Sequence, residues 1–250
     1  MLQRKIPVWK NYIFLCIWNF GYSFLFLQQK GFNMVLQFLH KIMPTQIWNV
    51  GRDYYHTYLK KKYLKGDRPY VAGETTKAKE RRLRENFFKK YCTGSGLDIG
   101  FGGDPIVPNV QGWDFEHGDA QYLFDIPDSE FDFVYSSHTL EHMNDPELAL
   151  KNWWRVLKPG GHLIIYIPHR ELYEKKKNLP SQFNSNHTHF FLIDEEDLPD
   201  TLSLKKLILE NLPGGELMYI KECSEGYNSN SIDKHSTGEY SIEAVIKKVK

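Results

Sequence analysis

In the stretch LDIGFGGDP (97–105), Asp98 closes an apolar run and is followed by Gly100, Gly102 and Gly103, a chain almost bare of side chains. Glycines accept positive φ and let a ligand approach the backbone closely. The N–H groups of such a turn form a concavity suited to a carboxylate or phosphate. A carboxylate at its base could take an ammonium group, directly or through water, so an amino acid is a suitable ligand. A dinucleotide loop requires a third glycine where Pro105 stands, and a P-loop requires Gly-Lys-Ser/Thr, which does not follow. Asp114 ends the next apolar stretch, VQGWDF (110–115), where an acid can accept both hydroxyls of a ribose. In Gly118-Asp119-Ala120 a small residue beside an acid leaves room for a flat ring and offers an acceptor to an exocyclic amine. Amino acid, ribose and adenine together describe S-adenosylmethionine.

These residues need a sheet to position them. From Thr93 onward short apolar runs alternate with helical stretches, which predicts a parallel α/β sheet. The expected strands are 96–99, 110–115, 131–137 and 162–168. EHMNDPELALKNWWRVL predicts a helix with Leu148, Leu150, Trp154 and Leu157 on its buried side, stopped by Lys158-Pro159-Gly160-Gly161. Ligands of open sheets lie outside the carboxyl ends of the strands. Further on, 193–212 reads as a helical segment, GELMYIKECS and YSIEAVIKKVK as strands of a closing antiparallel hairpin, and EGYNSNSIDKHSTGE as a polar loop.

Composition bounds the rest. A length of 250 residues suits one domain with an appendage. The net charge of +1 gives no bulk field for nucleic acid, and three scattered cysteines suit a reducing compartment. The expected division is an aromatic and basic arm, 1–74, and a catalytic domain, 75–250. Residues 11–29 carry no charge over a span long enough to cross a bilayer. Three readings stay open: a core helix, an anchor on or across a membrane, and translated upstream sequence with Met34 as the start. Basic residues after the segment outnumber those before it, which keeps the main domain cytoplasmic, at the inner face of a membrane if the anchor is real. The helix expected from Thr75 places Leu83, Phe87, Phe88 and Tyr91 on one side.

The run from Gly96 to Pro168 resembles the class I S-adenosylmethionine-dependent methyltransferases, type 11 group. GLDIGFGGDP is similar to the family's glycine motif, GDAQYL to its adenine-side motif, FDFVYSSHTLEHM to its fourth-strand motif, and WWRVLKPGGHLIIYIPH to its helix, turn and fifth strand. The resemblance implies a Rossmann-like methyltransferase sheet, mostly parallel with an antiparallel C-terminal hairpin. It implies that Asp98, Gly100, Phe101 and Gly102 line the methionine end of the cofactor, Asp114 the ribose, and Asp119 with Ala120 the adenine. Ser137 and His138 would border the reactive methyl.

One departure from the family pattern has structural weight. Pro105 and Pro108 lie in the short interval before Val110, so the usual first helix is missing or a single turn, and Asp114 to Gly118 leaves no room for the second. One sheet face then lacks its usual cover, and residues 12–63 are expected to supply it. The acceptor is expected to be a small molecule or a glycan, including surface polysaccharide or lipid-linked sugar, since no Asn-Pro-Pro-Tyr-type motif of nucleic-acid enzymes occurs. For a hydroxyl acceptor a histidine base is natural; His138 comes first, then His169 and His189. His138 and His142 lack further ligands at a recognisable spacing, so no metal is expected. Glu141 is expected to bond locally, and His187 and His189 either border the substrate or belong to a polar loop. A noncatalytic module that keeps the cofactor fold is the alternative to an enzyme, and a nicotinamide oxidoreductase is disfavoured by Pro105. Oligomeric state is not legible.

Overall fold

The computed structural model describes Tyr70 and residues 72–249. The expected coverage by residues 12–63 and the charge-free segment 11–29 both lie outside the described residues. Among the described residues no helix is long and apolar enough to cross a membrane.

Among the described residues eight strands form in chain order: β1 (Gly96–Ile99), β2 (Gln111–Trp113), β3 (Phe131–Ser137), β4 (Leu157–Pro168), β5 (Phe190–Leu192), β6 (Thr201–Ser203), β7 (Gly215–Cys223) and β8 (Ser241–Lys248). The main sheet has the order β2-β1-β3-β4-β8-β7. Its first three pairings are parallel. The last two, β4 with β8 and β8 with β7, are antiparallel, so the hairpin closes the sheet as expected. β5 and β6 form a small parallel pair of their own.

The boundaries of β1 and β3 match the expected ones to the residue. β4 starts earlier, because helix α4 (Pro146–Val156) ends before the Lys-Pro-Gly-Gly turn and the extended chain already pairs at Phe131 and Leu157, with a shift in register before Phe133. Asp145 caps α4 by accepting from the Leu148 amide at 2.9 Å, and Pro146 occupies its first turn. The buried face of α4 carries Ala149, Leu150, Trp153 and Trp154, while Leu148 is only half-buried. The segment expected as helix after residue 193 is helical only in α5 (Leu204–Asn211), preceded by β6, whose Ser203 caps it.

The missing helices are confirmed: among the described residues none stands between β1 and β2 or between β2 and β3. One face of the sheet is covered by α4 and α5, whose Leu150, Trp153, Leu204 and Ile208 pack with Val134, Leu163, Ile165 and Ala244. The other face has a cover of its own among the described residues. Residues 74–91 fold as three short helices, α1 (Glu74–Lys77), α2 (Lys79–Arg84) and α3 (Phe87–Tyr91), and lay Ala78 and Phe87 against Phe133, Tyr135, Ile164 and Val245. Leu83, expected on this buried side, is instead exposed.

Charge completes this cover. Arg81 and Arg82 are buried and reach Glu243 of β8 at 2.9 and 2.8 Å, and Arg81 also reaches Glu239 at 2.8 Å. Asp104 ties the cover to the glycine loop by accepting from the amides of Gly73 and Thr76, both at 2.8 Å. Asp104→Ala should therefore cost ~1–2 kcal/mol, the usual loss for a helix cap, measured by urea denaturation.

Candidate functional site

The strand order places β1 between β2 and β3, whose connections leave on opposite sides, so the carboxyl ends of these three strands form the switch point where open sheets bind ligands. The loop 100–103 leaves β1 there. Gly100, Gly102 and Gly103 all have positive φ, at 74°, 55° and 94°. The Gly100 amide donates to the Trp113 carbonyl at 2.7 Å, and the Gly102 amide to Asp114 Oδ2 at 3.1 Å. A β-carbon on Gly100 would stand 1.9 Å from Thr139 Oγ1, whereas one on Gly102 would meet nothing nearer than 3.8 Å. The loop is therefore tight on its protein side and open at Gly102.

Asp98 is completely buried at the base of this loop. Its Oδ2 accepts from the Ile106 amide at 2.7 Å, while Oδ1 has no hydrogen-bond partner. Burial pushes its carboxyl well above the ordinary range. A buried acceptor without a donor is costly, and an ammonium group brought to Oδ1 would answer it. Phe101 is buried, its ring where a β-carbon of Gly112 would otherwise lie, so it packs against β2. Asp114 uses Oδ2 for Gly102 and Oδ1 for the Phe115 amide at 2.8 Å. Asp119 is exposed and accepts from the Gln121 amide at 2.8 Å. The carbonyl of Ala120 is held by the Trp153 indole at 2.8 Å, which pins the Gly-Asp-Ala turn to α4. Asp98, Asp114 and Asp119 thus supply acceptors of the kind that an ammonium group, ribose hydroxyls and an exocyclic amine require.

β3 ends on buried Ser137 and passes into His138, which adopts the left-handed region at φ 49°. That turn carries its Nε2 to 2.9 Å from Ser241 Oγ and its ring among Tyr166, Tyr173 and Tyr240. Burial pushes the His138 imidazole down to about 4, so it is neutral at pH 7. His169 and His189 do not share its surroundings. His169 caps the turn Arg170–Glu174, accepting from the Glu171 amide at 3.2 Å, and faces Glu222 at 3.7 Å. The His189 Nδ1 pairs with Thr188 Oγ1 at 3.1 Å, and Thr188 is itself bound to the carbonyls of Glu141 and Met143.

Other residues occupy the ground beside His138. The 3-10 turn Leu140–His142 brings up Glu141, whose buried carboxylate has no hydrogen-bond partner on another residue and leans only toward its own backbone amide. Burial pushes its carboxyl up to about 7. His142 lies against His187 at 4.8 Å between ring centres, with its imidazole pushed down to about 4 by burial. His187 is held by Glu174 at 2.5 Å. Burial works against the charged form of His187, but the Glu174 carboxylate outweighs it, and the imidazole is raised above its ordinary value. His142 and His187 were visible as residue types; their meeting depends on the fold of 170–190, where no periodic pattern announces it.

Residues 90–165 match the family model described as "Methyltransferase domain", which bears out the resemblance to the type 11 group over the segment that carries β1 to β4. A ubiquinone/menaquinone biosynthesis C-methyltransferase of Cellvibrio japonicus is 44% identical over 64 residues, 24% of this chain and 25% of that one. A trans-aconitate 2-methyltransferase of Deinococcus radiodurans is 31% identical over 111 residues, 41% of this chain and 40% of that one. The match with the first of these thus spans about a quarter of its length. Among solved structures, an S-adenosylmethionine-dependent methyltransferase of Thermotoga maritima, described as a possible histamine N-methyltransferase, is 21% identical with a TM-score of 0.45, over 68% of this chain and 97% of that one.

Proposed function

We propose that this chain transfers the methyl group of S-adenosylmethionine to a small-molecule or glycan acceptor, at oxygen. The observation that carries the reading is Asp98: a fully buried carboxylate with one oxygen unpartnered, at the foot of a positive-φ glycine loop on the switch point of the sheet. Asp98 Oδ1 would receive the ammonium, the open side of Gly102 the backbone of the methionyl part, Asp114 the ribose hydroxyls, and Asp119 with Ala120 the adenine edge. When bound, the sulfonium supplies an activated methyl group. What remains for the protein is alignment of the acceptor, which can contribute ~7–11 kcal/mol of the barrier. His138, neutral at the end of β3, has a lone pair to take or relay a hydroxyl proton.

Calorimetric titration of the full-length protein with S-adenosylmethionine and S-adenosylhomocysteine tests the cofactor half. Asp98→Asn keeps an acceptor for Ile106 and turns an amide donor toward the ammonium, so affinity should fall roughly ten- to hundredfold, the weight of a charged hydrogen bond. Because burial raises the Asp98 carboxyl, affinity should increase with pH as the carboxylate forms. Unchanged affinity in Asp98→Asn, or none in the parent protein, would overturn the assignment. Methyl transfer from labelled donor across panels of phenols, sugars and carboxylic acids tests the acceptor half.

A further inference from the structure

Glu141 Oε1, His142 Nε2 and His187 Nε2 converge, with their three ligating atoms within 4.8 Å of one another and each ring nitrogen 3.8 Å from the carboxylate oxygen. The hydrogen bonds behind them decide which lone pairs are free. His142 Nδ1 lies 3.1 Å from the Asn186 carbonyl, which can only accept, so the proton sits on Nδ1. His187 Nδ1 lies 2.5 Å from Glu174 Oε1 and likewise donates. Glu174 is fixed in turn by the Ser181 hydroxyl at 2.5 Å. In its neutral form each imidazole therefore turns an unprotonated Nε2 toward Glu141, whose two oxygens are buried and receive no hydrogen bond from another residue. With Glu141 ionised and both imidazoles neutral, three lone pairs face one another and repel; a cation among them turns the repulsion into ligation. The backing of each metal-facing histidine by a carbonyl or a carboxylate is the arrangement that orients imidazole ligands.

We propose that Glu141, His142 and His187 bind a divalent transition-metal ion. Two imidazoles and one carboxylate suit zinc, cobalt, nickel, manganese or iron, whereas magnesium and calcium prefer all-oxygen sites. The spacing of His138 and His142 drew attention to a different pair; Glu141 and a distant His187 complete the set instead. Three protein ligands leave a coordination position for an exogenous oxygen, and His142, whose side chain is 29% exposed, lies on the side open to solvent. His138 Nδ1 is also 3.8 Å from Glu141 Oε1, so the ion would stand beside the strand end assigned to methyl transfer. On the reading under Proposed function, an acceptor hydroxyl ligated there would lose its proton more readily, as metal-bound water does.

The test uses tag-free full-length protein, stripped with a chelator and titrated with zinc by calorimetry and with cobalt by its visible d–d absorption. One ion per chain, with a cobalt band of nitrogen and oxygen ligation and a raised melting temperature, is expected. His142→Ala, at a partly exposed position, should fold as the parent does and lose at least tenfold in affinity. Glu174→Gln, one step behind the metal, should lose roughly ten- to hundredfold. No saturable one-site binding by the parent, or equal binding by parent and His142→Ala, would overturn the site. Neither readout requires methyl donor or acceptor, so failure of the metal site and failure of the transferase reading are distinguishable.

Discussion

Replacing Glu243 by glutamine is expected to lower the free energy of unfolding by about 3–5 kcal/mol, the usual loss when one partner of a buried ion pair is removed. Glu243 and Arg82 are both fully buried, and Glu243 Oε1 also receives Arg81 and the Tyr219 hydroxyl, each at 2.9 Å. The glutamine would keep the shape and take away the carboxylate that Arg82 pairs with, while Arg81 keeps Glu239 and Glu85. Urea denaturation measures the loss. A double variant, Arg82→Met with Glu243→Leu, should recover much of it, because no unpaired charge then stays behind. The same network predicts an acid limb. Burial alone would raise the Glu243 carboxyl, but Arg82 and Arg81 outweigh it and hold it at about 2, below the ordinary 4.5. A depressed acid contributes stability that is complete above the unfolded value and is lost as the pH falls from about 4.5 toward about 2. Melting curves across that window should show the drop in the parent and a flatter profile in Glu243→Gln.

The second large effect separates two glycines in the same loop. Gly100→Ala would force a β-carbon to within 1.9 Å of Thr139 Oγ1 at a φ of 74°. Left-handed strain of ~1–2 kcal/mol and overpacking of ~1–3 kcal/mol should add, for a loss of about 2–5 kcal/mol in stability. Gly102→Ala has the positive φ but no close neighbour, so about 1 kcal/mol is expected in stability. Its effect should fall on S-adenosylmethionine affinity, by tenfold or more, because the methyl would occupy the open side of the loop. Thermal denaturation and calorimetry on the same two variants decide this. Equal stability losses would contradict the described packing, and unchanged affinity in Gly102→Ala would move the ligand elsewhere.

The legible parts of this protein are those governed by local rules. β1 and β3 could be bounded to the residue because apolar runs end there on glycine, serine or charge. Pro105 and Pro108 announced the missing helix, since proline cannot sit within one. Where tertiary partners decide, the reading slipped. Leu83 has the spacing of a buried residue, yet Arg81 and Arg82 point inward beside it because Glu239 and Glu243 wait on the far end of the chain. Glu141 resembles a residue of an ordinary turn; its isolation comes from the segment 170–190 folding over it. Trp153 is not among the positions expected on the buried side of α4, and only the structure shows its indole holding the Ala120 carbonyl. The strand ends could be read from the sequence, and the groups assembled across them could not.

The three short helices over the second sheet face have a consequence for synthesis on the ribosome. Helices of four to six residues do not persist alone in water. Their docking partners, Glu239 and Glu243, lie 158 to 162 positions downstream. While the chain is being made, residues 74–91 have therefore emerged long before the acids that neutralise their arginines. The cover closes only when β8 enters the sheet between β4 and β7. Until then Phe133, Tyr135 and Ile164 lack the layer that shields them, and transiently exposed apolar surface of this kind is what makes incomplete domains prone to aggregate. Closure of this face is thus an event in which two segments 158 to 162 residues apart lock one another in place.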